Sequence, residues 1–160
     1  MGNNTTFAVP KDRQDVTVRL DAAAAVSGSI FLESAPGAHT KHHKVVAFLE
    51  DETMFFPLTL QEGAGTEFIR KRNIRMVEAN YGEDEGLKTA LSLMQRINIT
   101  AIFTDDSSIS GVLMADVPAE RGRLSDCLNL PYHFLVVQLG DTLCYVNKYA
   151  LRKVVYAGKA

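Results

Sequence analysis

The 160-residue sequence has no tryptophan and only two cysteines, Cys127 and Cys144. Two cysteines cannot build a disulfide framework, so cohesion must come from a packed core, and a reducing, cytoplasmic setting is expected. No apolar run reaches the length of a membrane-crossing helix. Neither sign of charge dominates: 17 Lys and Arg against 19 Asp and Glu leave a net charge of −2, which excludes the strongly basic surface of an obligate nucleic-acid binder but not a local basic patch. Also missing are a nucleophile beside an orienting base, a paired acid-base carboxylate set and a phosphate-cradling glycine loop, so no catalytic residue and no cofactor is expected. The first residues have no basic flank leading into an apolar core and do not read as a secretory signal. Met1 and Gly2 with Thr6 do fit the loose myristoylation pattern, which many unmodified starts also satisfy.

What is present is a pattern used twice. Residues 16–20, Val-Thr-Val-Arg-Leu, alternate apolar and polar, and Val26-Ser27-Gly28 opens a second apolar run, residues 26–32. Later, residues 97–103 alternate in the same way, and Ile109-Ser110-Gly111 opens residues 109–114. Each pair reads as a β-hairpin. The likeness continues: residues 44–60 lie on residues 123–139 without a gap, putting Val45 on Leu124, Phe48 on Cys127, Leu49 on Leu128, Phe55 on Phe134 and Leu58 on Val137. Apolar residues at i, i+3 and i+4 at the start of each stretch predict a short helix, followed by a strand. Pro57 marks the first of these strands as an edge or bulge. Glycine turns at Gly63-Ala64-Gly65 and Gly140-Asp141 then lead into closing strands at 67–70 with 74–77, and 144–147 with 151–155, with Ile74 matching Leu151.

Residues 1–14 read as a polar lead-in interrupted by Pro10, and residues 33–43, with Pro36-Gly37, as a loop. Between the two copies, Glu83-Asp84-Glu85 precedes Leu87, Ala90, Leu91 and Met94. Acidic residues at the start and an i, i+3, i+4, i+7 apolar stripe predict an amphipathic helix near 83–95. The chain thus divides into residues 1–80 and residues 81–160, each with about five short strands and a short helix.

The order and length of these pieces resemble the Sm-like small β-barrel of the Sm and Hfq RNA-binding proteins. The resemblance rests on the apolar-Ser-Gly entry to the second strand, on Asp126-Cys127-Leu128-Asn129, and on Ile69-Arg70-Lys71-Arg72-Asn73 ahead of a closing strand. It implies a mainly β fold of two tandem Sm-like small barrels joined by one amphipathic helix. It also implies a non-enzymatic binding or assembly module that self-associates or meets a protein partner through paired strand edges, with RNA as a further class of partner and no membrane contact. The family's signature glycine is replaced by Lys71, and Asp126 and Asn129 are one residue closer than usual, so its nucleotide contacts are not carried over.

Three clusters remain. Arg70, Lys71, Arg72 and Arg75, with Lys148 and Arg152 at the matching place, are the most basic stretch of each copy; they suit phosphates, or simply guard an exposed strand edge. Asp106-x-Ser108-x-x-Gly111 resembles half of the PilZ fingerprint, which implies a cyclic di-GMP receptor; Arg96 is the arginine upstream that would serve phosphate. His39, His42 and His43 have metal-ligand spacing but no acidic or thiol partner nearby, so a solvated loop and no metal site is expected.

Overall fold

The computed structural model describes residues 11–21, 23–34 and 37–160. The myristoylation-like start, Pro10 and Pro36 lie outside the described residues. The chain is mainly β: among the described residues, ten antiparallel strands form one open sheet, in the order β10-β6-β7-β8-β9-β5-β1-β2-β3-β4. The strands are β1 (Lys11–Arg19), β2 (Ala25–Glu33), β3 (Phe55–Leu60), β4 (Thr66–Arg70), β5 (Met76–Ala79), β6 (Gln95–Phe103), β7 (Ser108–Ala115), β8 (Phe134–Leu139), β9 (Thr142–Asn147) and β10 (Leu151–Lys159). The α-helices of the described residues are α1 (Lys41–Glu50), α2 (Glu85–Ser92) and α3 (Leu124–Leu128). No helix among the described residues is long and apolar enough to cross a membrane.

Local chemistry explains most boundaries. β1 starts well before residue 16, because Lys11 to Asp15 pair with Ser29 to Glu33 of β2; the expected lead-in is strand from residue 11 onward. The β1–β2 turn is pinned by the Asp21 carboxylate, which accepts from the N–H groups of Ala23 and Ala24. α1 begins three residues earlier than residue 44 because Thr40 caps it, its hydroxyl accepting from His43 N–H. α2 falls where the apolar stripe predicts, with Asp84 as its N-cap and Leu87 and Leu91 buried. Pro57 is neither on an edge strand nor a lost ladder bond toward β2. β3 lies between β2 and β4, and β2 meets it only at Gly28↔Leu60 and Ser29↔Thr59.

The two stretches aligned in sequence make matching contacts. Gly28 and Gly111 each sit where a strand crosses its neighbour so closely that a Cβ would fall 2.5 Å from the Thr59 carbonyl oxygen in one case and 2.7 Å from the Gln138 carbonyl oxygen in the other. Thr17 and Ser27 exchange a hydroxyl hydrogen bond, as do Thr100 and Ser110. The Lys71 ammonium donates to the Asp51 carbonyl, and Lys148 to that of Leu130. Burial, however, differs at two aligned pairs. Phe134 is 8% exposed and Phe55 51%; Ile74 is fully buried and Leu151 half-buried. Phe134 belongs to a core cluster that also contains Leu49 of α1, whereas Phe55 stands near the outer edge of the sheet. That cluster joins Val16, Ile30 and Leu58 to Met114, Leu143 and Tyr145, so the first core runs across the division near residue 80. A second cluster, around Ile99, Phe103 and Val137, fills the C-terminal half.

Candidate functional site

The sheet is continuous because β5 pairs with β9, in the register Met76↔Val146, Val77↔Tyr145, Glu78↔Cys144 and Ala79↔Leu143. Side chains reinforce this seam from several directions. The Glu50 carboxylate, at the end of α1, accepts from the backbone N–H groups of His133 (2.5 Å) and Phe134 (3.3 Å). Asn147 Nδ2 donates to the carbonyls of Arg72 (3.1 Å) and Ile74 (2.8 Å). Behind the strands, His42 Nδ1 lies 2.8 Å from the Tyr145 hydroxyl, which lies 2.6 Å from that of Tyr81. Burial, with His43 beside it, pulls the His42 imidazole down to about 4, so it is neutral near pH 7. The same burial pushes the Tyr81 phenol up and Cys144 up to about 12. The loop expected over residues 33–43 is therefore corrected at its end: His42 is a buried helix residue, and only His39 of the three stays in the loop.

The six basic residues lie in or beside two short 3-10 turns, at Lys71–Asn73 and Lys148–Ala150. Lys71 is buried, its ammonium donating to the Phe48 carbonyl (3.0 Å) and paired with the Asp51 carboxylate (2.5 Å). Lys148 donates to Leu130, and burial lowers its pKa despite Glu50. Arg75 lies over the Phe103 ring, donates to the Ser107 hydroxyl and pairs with Asp105; the Ser107 and Arg75 hydrogen bonds hold the Asp105 carboxyl down at about 2. Arg152 pairs with Asp106. Among the described residues, Arg70, Arg72 and Lys148 of the six form no ion pair with a carboxylate. The Arg72 guanidinium stacks 4.8 Å over the Tyr149 ring, which in turn stacks on His133. A cavity of about 290 Å³ opens between Arg70, Arg72, His133, Asn147 and Tyr149.

The second set is not brought together. The β6–β7 hairpin pairs Arg96 with Met114 near one end and Ile102 with Ser108 at the other, about 20 Å apart at ~3.4 Å per residue. Arg96 donates to Gln138, Asp106 turns the hairpin tip at φ 71°, and Gly111 provides the close crossing over Gln138. Among the described residues, no three His, Cys, Asp or Glu side chains group as a metal site.

The outer strands differ from those at the seam. β9 is buried at five of its six residues; β4, an outer strand, is buried only at Ile69. Phe68 on β4 is 68% exposed, and Val155 and Tyr156 on β10 are exposed as well. Sequence reasoning missed the seam residues Glu50, His42, Tyr145 and Asn147, because each acts on a partner far along the chain. No protein-family model, curated protein or solved structure matches the chain.

Proposed function

We propose that this chain is a non-enzymatic assembly module built from two tandem, sequence-related barrels of the Sm-like type, each a five-stranded curved sheet, and that it binds further chains by strand-edge pairing. The order β5-β1-β2-β3-β4 in one half and β10-β6-β7-β8-β9 in the other supports the duplication, as do the paired glycine crossings and the lysine-to-carbonyl contacts.

The β9·β5 seam carries the reading. It joins the fourth strand of one half to the fifth strand of the other and, among the described residues, leaves one fourth strand, β4, and one fifth strand, β10, unpaired at the two ends. β4 and β10 are thus the same two kinds of edge that the chain already joins internally. Unpaired edges of this kind are pairing templates. Transferring the seam register through β3·β4, β8·β9, β1·β5 and β6·β10 puts Ile69 opposite Lys153, Phe68 opposite Val154, Glu67 opposite Val155 and Thr66 opposite Tyr156. At the seam Asn147 donates to three carbonyls; its counterpart on β4 is Arg70, whose guanidinium has five donors for the matching carbonyls of Lys148, Tyr149 and Leu151.

An RNA role draws on Arg72, Tyr149 and His133, which offer guanidinium and aromatic surfaces for an unstacked base. The cyclic di-GMP alternative needs Arg96 beside Asp106 and Ser108, and their separation argues for the assembly reading instead.

Light scattering or sedimentation tests the proposal. The expected mass is a multiple of 17.6 kDa. Phe68→Glu and Val155→Glu should each reduce it, one disabling β4 and the other β10. Mixing the two variants should give a two-chain complex, since each keeps the edge that the other lacks. A mass of one chain at every concentration up to about 1 mM, a dissociation constant worth only ~4 kcal/mol, would refute the reading.

A further inference from the structure

We infer that the phenylalanine face beside β4, made by Phe31, Phe55 and Phe68, is the docking site for the α3 segment of a second copy of this chain; the inference rests on the assembly reading above. Strand register fixes the counterparts of these residues in the C-terminal half. Phe134 faces Asn147 as Phe55 faces Arg70, so Tyr145 corresponds to Phe68. Ile99 faces Gly111 as Val16 faces Gly28, so Met114 corresponds to Phe31. Met114, Phe134 and Tyr145 are all buried, whereas Phe31, Phe55 and Phe68 are all exposed. One face is therefore wrapped in the C-terminal half and bare in the N-terminal half.

The wrapping comes from α1. Leu49 packs into the cluster that holds Met114, Phe134 and Tyr145, His42 meets the Tyr145 hydroxyl, and Glu50 accepts from the N–H groups of His133 and Phe134. α1 belongs to the half that contributes β5, so strand and helix cross the seam together. In the C-terminal half the same two parts are β10 and α3. The alignment of residues 44–60 with residues 123–139 puts Leu128 at the position of Leu49 and Asn129 at that of Glu50.

A second copy is the occupant because the sheet's other end carries both parts in the right order. When β10 of that copy pairs with β4, its α3 comes over the bare face. Leu128 then enters the groove of about 610 Å³ whose lining includes Phe31, Phe55 and Pro57, with Lys44 and Asp51 among its polar residues, and which Phe68 flanks through its pairing with Pro57. The Asn129 amide nitrogen already donates to the Ser125 carbonyl, which leaves its oxygen to accept from the N–H groups of Met54 and Phe55, as Glu50 does from His133 and Phe134. Burying three phenyl rings at this joint adds apolar area that strand pairing alone does not supply.

Two single variants, Asn129→Cys and Met54→Cys, test this. Both positions are exposed, and the native cysteines are buried, so neither folding nor background oxidation should interfere. The variants are mixed, oxidised and run on a non-reducing gel, with sedimentation in parallel. A covalent two-chain species at least about tenfold more abundant in the mixture than with either variant alone, within an assembly of raised mass, is the expected result. Raised mass without that cross-link overturns the docking of α3 and leaves edge pairing standing, with some other segment over the phenylalanines. Mass of a single chain throughout overturns both.

Discussion

Acid should loosen this protein through one imidazole. His42 sits behind the seam, held neutral by burial, with its ring stacked on Tyr145 and its Nδ1 against the hydroxyl of that residue. Its pKa falls from 6.5 to about 4 on folding, so between those values the unfolded chain binds the proton and the folded one does not. Stability contributed by the neutral ring is complete above pH ~6.5 and declines as pH falls, the loss levelling off below about 4. At ~1.4 kcal/mol per pH unit, the decline from about pH 7 to about pH 4.5 is roughly 2 kcal/mol, or some 4–8 °C in Tm for a chain of this size. Of the groups facing the ring, Tyr81 and Tyr145 are both pushed upward by burial and stay protonated through that window, and the His43 ring, 5.2 Å away, is common to the two proteins compared below. Carboxylates elsewhere do contribute acid sensitivity, so urea unfolding at both pH values is compared with His42→Phe, which keeps the ring and loses the titration. The difference between the two pH profiles should be about 2 kcal/mol, with the native chain the more acid-sensitive. Parallel profiles for the two proteins would refute the reasoning.

Gly28→Ala and Gly111→Ala should each destabilise by about 1–3 kcal/mol, since the new methyl meets a backbone carbonyl that the sheet cannot move aside. Gly86→Ala, in α2 where the new methyl comes no closer than 3.4 Å to the Asp84 carboxylate, should instead raise stability by up to ~1 kcal/mol; thermal melts distinguish the signs. Asn147→Ala removes a buried carboxamide that serves carbonyls of Lys71, Arg72 and Ile74 and accepts from Tyr149 N–H, and should cost at least ~2 kcal/mol. It should lower the urea midpoint with an unchanged slope, and a shift below about 0.5 kcal/mol would show that water replaces the amide.

Local signals carried the strands and helices, and long-range ones carried the seam. The Ser-Gly entries at Gly28 and Gly111 were readable because a residue without Cβ is what a close strand crossing requires. The stripe Leu87, Ala90, Leu91 and Met94 was readable because a helix period lies wholly within it. Lys11 to Asp15 concealed a strand, since all five residues are polar or charged and their only structural cue is the partner they meet in β2. His42 looked like a solvated loop histidine because Thr40 was not read as a helix cap and because Tyr145, which buries it, comes 103 positions later. The basic stretch was legible as a cluster, but not the fate of each charge. Whether Lys71 meets solvent or Asp51 depends on how α1 ends, which composition does not encode. Arg96 and Asp106 looked close in a line of letters, yet an antiparallel hairpin drew them apart.

The pairing of β5 with β9 also sets a timetable for synthesis. A ribosome releases Met76, Val77 and Ala79 while Leu143 to Val146 are still untranslated, so the nascent N-terminal half waits with β5 bare on one side. During that wait, any neighbouring nascent chain on the same message can supply the missing strand first, and such mispairing grows with the length of the delay. A circular permutant with its new start between Tyr81 and Asp84 would reverse the exposure, leaving β9 to wait for β5.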